Sequence, residues 1–61
     1  MHTYCLLNTG VIMIIYGEDS RKEEYAVYPL NGIPSNYMMV SYNDIKMIDT
    51  NLNYLSLFQW N

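Results

Sequence analysis

The stretch VIMIIY, residues 11–16, is apolar at every position, and it constrains the fold more than any other feature of the chain. Its Val, Ile and Tyr residues favour a β-strand, in which successive side chains point to opposite faces. Both faces of this strand are then apolar, and neither suits water. One face can lie inside a sheet or barrel. The other needs a cover from the C-terminal segment NLNYLSLFQW, a second copy of the chain or a foreign protein.

Two further runs, YAVYPL and YMMVSY, have the same strand-forming composition and are bounded by turn residues. Between the first two runs, GEDSRKEE combines turn formers with charged side chains, which predicts the solvated tip of a hairpin. NGIPSN predicts a second reversal, because Asn31-Gly32 favours a turn and Pro34 cannot donate to a β-ladder. Upstream, YCLLNTG is compatible with a short leading strand that turns at residues 8–10.

The C-terminal third allows two interpretations. In the first, SYNDIKMID forms a single helical turn that leads into a last strand. In the second, a helix runs from about Asp44 to Phe58 across a four-stranded sheet, with a cap from Ser41, Asp49 or Thr50. The helical interpretation rests on apolar residues that step by three, four and three, namely Ile45, Ile48, Leu52 and Leu55. Asn51 and Asn53 disfavour it, because asparagine is a poor interior residue of helices.

The length of 61 residues predicts a single domain over residues 1–61. A domain of this size buries only about 60% of the surface that its unfolded chain exposes. The composition is 51% hydrophobic and 15% aromatic, which indicates a packed protein rather than a disordered one. The chain carries more apolar side chains than it can cover by itself. We therefore expect a homo-oligomer or a complex with a partner.

The charge balance argues against nucleic acid as a direct partner. Three Lys or Arg residues against six Asp or Glu residues give a formal net charge of −3. So few cations release few counterions from a phosphate backbone, and this release is the usual main source of affinity for nucleic acids. An acidic surface favours instead a protein partner with a basic surface.

Cysteine use and hydrophobicity predict the cellular location. The single cysteine, Cys5, cannot form an internal disulfide, which suits a reducing compartment, and it is expected to be buried as a small apolar side chain. The longest apolar run is far shorter than the roughly 20 residues that cross a bilayer. The stretch MHTYCLLNTG lacks the basic flank and the small-residue cleavage site of a secretory signal. We expect a cytoplasmic protein that does not enter a membrane.

No combination of residues indicates catalysis or a cofactor. His2 is the only histidine, and His2 and Cys5 are too few to hold zinc. The acidic residues of GEDSRKEE stand among Arg21 and Lys22 and lack the spacing of a calcium loop. The three glycines are isolated, so they form no phosphate-binding loop. We predict a non-enzymatic protein with no cofactor and no metal.

Tyrosine is the residue type that points to a function. The chain has seven tyrosines, more than so small a core holds. A tyrosine can bury its ring while its hydroxyl meets water or a partner, and Tyr and Trp are enriched at the hot spots of protein interfaces. Cross-strand packing on the sheet accounts for part of them. The predicted interaction surface consists of Tyr16, Tyr28, Tyr37, Tyr42, Phe58 and Trp60.

The order of features in TGVIMIIYGEDSRKEEYAVYPLNG, followed by MMVSYNDIKMI, resembles small SH3-like barrels of the bacterial type. The matching positions are Gly10, Val11, Ile15, Tyr16, Tyr25, Val27, Val40, Asp44 and Ile45. Such barrels mostly serve as binding modules, which the resemblance implies here also. It does not extend to proline-rich ligands, because Trp60 is not placed to clamp them. A tiny chain rich in Asn, Tyr and Ile is also similar to products of phages and mobile elements, which implies an inhibitor of a host protein.

The sequence thus predicts a mostly β fold, either a small SH3-like barrel or a bent antiparallel sheet of about four or five strands, with or without a C-terminal helix. The predicted function is an interaction module that binds another protein and self-associates. Two alternatives stay open: a nucleic-acid-binding module that stacks bases on tyrosine, and a structural subunit of a larger assembly.

Overall fold

The computed structural model describes residues 1–60, which form five strands and one short α-helix. The strands are β1 (Thr3–Leu7), β2 (Ile12–Asp19), β3 (Glu24–Pro29), β4 (Met38–Ser41) and β5 (Ile45–Asp49). The helix α1 (Leu52–Ser56) follows β5, and two 3-10 turns occupy Pro34–Asn36 and Tyr42–Asp44. The prediction of a mostly β fold is confirmed, and the leading strand in YCLLNTG is present as β1.

The five strands form one antiparallel sheet in the order β4-β3-β2-β1-β5. Each of the first three strands pairs with the next one along the chain. β5 returns to the far side of β1, where Cys5 lies opposite Ile48. The predicted strand VIMIIY corresponds to β2 at the centre of the sheet, although β2 begins at Ile12 and leaves Val11 exposed.

The sheet is strongly bent, because its two edge strands are joined by a very short connection. In a flat sheet with strands about 4.8 Å apart, the edges β4 and β5 would stand about 19 Å apart. The chain from Ser41 to Ile45 can span at most about 15 Å, and less as a 3-10 turn. Register shifts at Leu6/Leu7 and at Ile15/Gly17 add local bending. The sheet therefore has a concave inner face and a convex outer face.

The inner face holds the first of two apolar clusters. Its buried members are Cys5, Met13, Val27 and Val40. The Cys5 side chain is 0% exposed, and burial raises the pKa of its thiol, so the thiol stays protonated at neutral pH. The interpretation of Cys5 as a buried apolar residue is confirmed.

The second cluster lies on the outer face, where the C-terminal helix packs over β5 and β1 and reaches Ile12 at the start of β2. Leu55 of α1 packs with Leu6 and Ile12, and Leu6 and Leu55 are both 0% exposed. The chain thus covers the second face of β2 with its own C-terminal segment, one of the three covers that the sequence left open. The cover stops short of Tyr16, whose side chain is 59% exposed.

The long helix from about Asp44 to Phe58 is wrong. Residues 45–49 form β5 instead, and α1 covers only Leu52–Ser56. Asn51 separates the two elements: its side-chain oxygen accepts a hydrogen bond from the Tyr54 N–H at 3.1 Å and so caps the helix. The asparagine that disfavours a helix interior therefore marks the point where the helix begins. Ser41 caps a different element, the 3-10 turn, by accepting from the Asn43 N–H at 3.2 Å.

The residues after α1 are fixed to the turn between β1 and β2. The Gln59 side-chain amide donates to the carbonyl oxygen of Gly10 at 2.9 Å. Gly10 has a φ of 93°, and a Cβ at this position would lie 3.0 Å from the carbonyl oxygen of Gln59. Only glycine suits both the left-handed backbone and the close approach. On β5, the Lys46 ammonium donates to the carbonyl oxygen of Phe58 at 3.3 Å.

Candidate functional site

The outer face of the sheet has two halves, and only one is covered. The half over β1 and the start of β2 lies under α1. The other half, over the end of β2, β3 and β4, presents exposed aromatic and methionine side chains. We call this second half the tyrosine face. It consists of Tyr16, Gly17, Ala26, Tyr28, Tyr37 and Met39.

The strand register builds the floor of the tyrosine face. Gly17 pairs with Ala26, and Ala26 pairs with Met39, so three residues form a row across β2, β3 and β4. Because side chains alternate along a strand and Val27 points into the inner cluster, this row lies on the outer face. A Cβ placed on Gly17 would meet no atom within 4 Å. The surface is therefore open above Gly17, at the β2 end of this row.

A bulge and a loop place the tyrosine rings above this floor. The register between β2 and β3 skips Tyr16, which frees its side chain from the regular alternation. The Tyr16 ring centroid lies 6.3 Å from that of Tyr28 in an edge-on arrangement and 5.7 Å from that of Tyr37. Tyr16 and Tyr37 are 59% and 51% exposed, whereas Tyr28 is 7% exposed. Tyr28 is thus a buried support, and Tyr16 and Tyr37 supply the accessible surface.

The predicted site residue Tyr42 lies elsewhere, on the 3-10 turn between β4 and β5. Its ring centroid is 5.0 Å from that of Tyr25, and its hydroxyl donates a hydrogen bond to the Glu18 carboxylate. This hydrogen bond is the main reason that the pKa of Tyr42 rises to about 12. Tyr25 belongs to the inner face, so Tyr42 is not part of the tyrosine face.

Phe58 and Trp60 form a third location at the C-terminal end of the described chain. Phe58 is partly buried against the outer cluster and packs edge-on with Tyr54 at 5.2 Å between ring centroids. Trp60 is 87% exposed and lines a cleft with the turn at residues 7–10. The structure therefore brings together three of the six predicted residues, Tyr16, Tyr28 and Tyr37, and separates the other three.

Sequence reasoning missed Gly17, Ala26 and Met39. Glycine and alanine carry no chemistry of their own, and their importance comes from the cross-strand register. The signal was present in the two hairpin arms, since YG and YA each place a small residue beside a tyrosine. Finding it required knowledge of the bulge at Tyr16, which shifts the pairing by one residue.

Acidic side chains border one end of the tyrosine face. Asp19 and Glu24 pair across β2 and β3 in the outer-face row next to Gly17 and Ala26. Glu24 also lies opposite Ser41, the last residue of β4. The carbonyl oxygen of Glu23 accepts a hydrogen bond from the Tyr42 N–H at 2.8 Å, which holds the hairpin tip next to the same end of β4.

Within residues 1–60, no three His, Cys, Asp or Glu side chains come together as a metal site. No helix in this part of the chain has the length and apolar character needed to span a membrane.

Comparison with protein-family models, with curated proteins and with solved structures finds no match to this chain. The geometry of the tyrosine face therefore has to carry the functional argument.

Proposed function

We propose that this chain is a non-enzymatic module that binds another protein through the tyrosine face. The observation that carries the proposal is the pair of rings of Tyr16 and Tyr37, each more than half exposed. The two rings pack on each other, and the Tyr16 ring also packs on that of Tyr28. Tyrosine is enriched at interface hot spots, and a ring that is already held in place loses little conformational entropy on binding. Gly17 lowers the floor beside them, which leaves room for a partner side chain.

The resemblance to SH3-like binding modules supports the proposal. The residues that carry it lie in the order that it implies: Val40 in β4, Asp44 at the end of the 3-10 turn and Ile45 at the start of the final strand. The strong bend of the sheet also favours a barrel-like shape. The SH3-like assignment is part of the proposal and rests on these features.

A binder without catalytic groups acts by occupying a surface of its partner. This is how an inhibitor of a host protein from a phage or mobile element would work, and we retain that role as the biological proposal. Stacking of nucleic-acid bases on Tyr16 and Tyr37 is less favoured, because the carboxylates of Asp19 and Glu24 border the same face and would repel phosphates. Cytoplasmic location remains a prediction.

Affinity capture from an extract of the source organism tests the proposal. We expect the immobilised wild-type chain to retain a protein partner, and the double variant Tyr16→Ser, Tyr37→Ser to retain at least about tenfold less. The matched control is Leu57→Ser, which removes a 70% exposed apolar side chain from the covered half. The control should retain the partner like the wild type.

A second variant tests the same surface in case the double tyrosine variant fails to fold. Gly17→Lys leaves all tyrosines in place and adds a side chain where there is open space, so the fold should persist. It should nevertheless block the tyrosine face and abolish capture. Undiminished capture by both Gly17→Lys and the double tyrosine variant, with unchanged circular dichroism, would contradict the proposal.

A further inference from the structure

The two edges of the sheet differ in how well they are protected from another strand. The edge strand β5, IKMID, carries Lys46 and Asp49, and its pairing with β1 contains a register shift. The edge strand β4, MMVS, has no charged residue and no proline, and its register with β3 runs without a shift. Charges, proline and bulges are the usual means by which a sheet edge avoids pairing with a further strand. Only β5 has such protection.

The register shows which backbone groups β4 offers at its open edge. The Tyr42 N–H donates to Glu23, so these two residues form a hydrogen-bonded pair. Pairs alternate between bonded and non-bonded along an antiparallel ladder. Val40 and Met38 therefore direct their backbone groups to β3, whereas Ser41 and Met39 direct theirs away from the sheet. The N–H and C=O groups of Met39 lie at the middle of the open edge.

The two ends of β4 differ in chemical character. At the Ser41 end lies the hairpin tip, where four carboxylates, including the outer-face pair of Asp19 and Glu24, outnumber the cations Arg21 and Lys22. At the Met38 end lie the exposed rings of Tyr37 and Tyr16. A strand that is added to β4 would therefore meet acidic groups at one end and aromatic groups at the other.

We infer that the partner contributes an extended basic segment that adds to β4 as a further strand. Its backbone pairs with Met39 and Ser41, its Lys or Arg side chains extend over Ser41 towards Glu24 on β3, with Asp19 one strand further, and its apolar side chains rest on Tyr37 and Met39. Arginine fits both ends, because its guanidinium also stacks on aromatic rings. This inference rests on the proposed function and specifies the class of partner.

Charge complementarity favours a foreign segment over a second copy of the chain. In a symmetric dimer the same surface patch faces its own copy, so that patch must carry both the acidic groups and the basic groups that pair with them. The hairpin tip beside the tyrosine face carries four acids, Glu18, Asp19, Glu23 and Glu24, against two cations, Arg21 and Lys22, and the third cation, Lys46, lies on β5. An antiparallel β4–β4 pair would place the acidic end of one copy against the aromatic end of the other. The second copy would then bring no cation to the excess carboxylates.

Synthetic peptides of about eight residues, the length of one strand, test the inference directly. The first peptide alternates β-branched residues with arginine in one half and carries an aromatic residue in the other half. The second has glutamate in place of every arginine. Fluorescence anisotropy should show that the arginine peptide binds at least about tenfold tighter at low salt, and that added salt weakens its binding.

Two modifications of the protein separate the backbone and charge contributions. N-methylation of the Met39 amide by chemical synthesis removes the outward donor and keeps every β3–β4 bond, so affinity should fall roughly tenfold. The control is the same synthetic chain with an unmodified Met39 amide, which keeps both the donor and the Met39 side chain. The double change Asp19→Asn, Glu24→Asn should lower both affinity and salt dependence, whereas Asp49→Asn, which removes one charge at the β5 edge, should lower neither.

Three results would overturn the inference. The first is equal affinity for the arginine and glutamate peptides, and the second is unchanged affinity after N-methylation of Met39. The third is a dimer in light scattering whose β4 amides are protected from hydrogen exchange without any peptide, which would identify a second copy as the occupant. If the peptides fail while capture still depends on Tyr16 and Tyr37, the proposed function stands and only the basic segment is wrong.

Discussion

The covered and uncovered halves of the outer face differ in how their apolar side chains meet water. Both lie on a sheet whose inner face is already filled by the first cluster. The covered half uses aliphatic side chains, with Leu6 and Leu55 fully removed from water. The uncovered half carries Tyr16 and Tyr37, whose rings pack on each other while their hydroxyl groups can hydrogen-bond to water. The two halves thus differ in burial: the first is covered by α1, and the second keeps the rings of Tyr16 and Tyr37 exposed.

Truncation of Leu55 should give the largest effect and break the covered half. Leu55 is 0% exposed at the centre of the outer cluster, so Leu55→Ala should lower the free energy of unfolding by about 2 to 5 kcal/mol. Urea denaturation followed by circular dichroism measures this. Leu57→Ala is the control: its side chain is 70% exposed, and it should change stability by no more than about 0.5 kcal/mol. Equal losses in the two variants would show that α1 does not pack as described.

Alanine substitutions at two glycines, one beside each half, should change the stability in opposite directions. Gly10→Ala introduces a Cβ into a left-handed backbone and 3.0 Å from the Gln59 carbonyl oxygen, so it should destabilise the fold by about 1 to 3 kcal/mol. Gly17→Ala lies in a strand with open space around it and should be neutral or stabilising by up to about 1 kcal/mol. Thermal unfolding of both variants checks the sign. A destabilised Gly17→Ala would mean that the tyrosine face is filled.

A smaller effect is expected at the hairpin tip that borders the tyrosine face. Glu23 has a φ of 55°, in the left-handed region that glycine adopts more readily. Glu23→Gly should therefore raise the free energy of unfolding by about 0.5 to 1 kcal/mol. Glu24→Gly, one residue later and inside β3, should lower it by a similar amount. Chemical denaturation of the two variants measures both changes, and a loss of stability in Glu23→Gly would contradict the prediction.

The smallest effect concerns Tyr42, which lies outside both halves. Its pKa is raised from 10.0 to about 12, mainly because its hydroxyl donates to the Glu18 carboxylate. A raised pKa in the folded state means that this contribution to stability is complete below pH 10 and is lost as the pH rises through about 12. Phenolate absorbance should show one late-titrating tyrosine. Glu18→Gln should return it towards the ordinary value, and Tyr42→Phe should remove it.

Much of the fold follows from the sequence alone. Strand-forming composition and turn residues identify β1 to β4, because the apolar runs are short and are bounded by turn-forming residues. The C-terminal third was ambiguous, since the spacing of Ile45, Ile48, Leu52 and Leu55 fits a helix while the first two belong to β5. A local pattern cannot separate these cases, because pairing with the distant β1 decides the outcome.

The candidate site could be predicted only in part, and for a similar reason. The number of tyrosines indicates an interaction surface, but which of them are exposed depends on the bulge at Tyr16 and on the loop before β4. Tyr28 was included with the others, although the sheet buries it under Tyr16. The open edge of β4 becomes visible only when the strand order is known.

The pairing of β1 with β5 also determines when the chain can fold. Leu6 finds its partners in Met47 and Leu55, more than forty positions later in the sequence. During synthesis, the outer face of β1 and of the start of β2 therefore stays open until residues 45–58 have left the ribosome. Such long-range contacts slow folding and expose unfinished chains to aggregation. We expect truncation before β5 to leave an insoluble fragment, in spite of the three hairpins that it still contains.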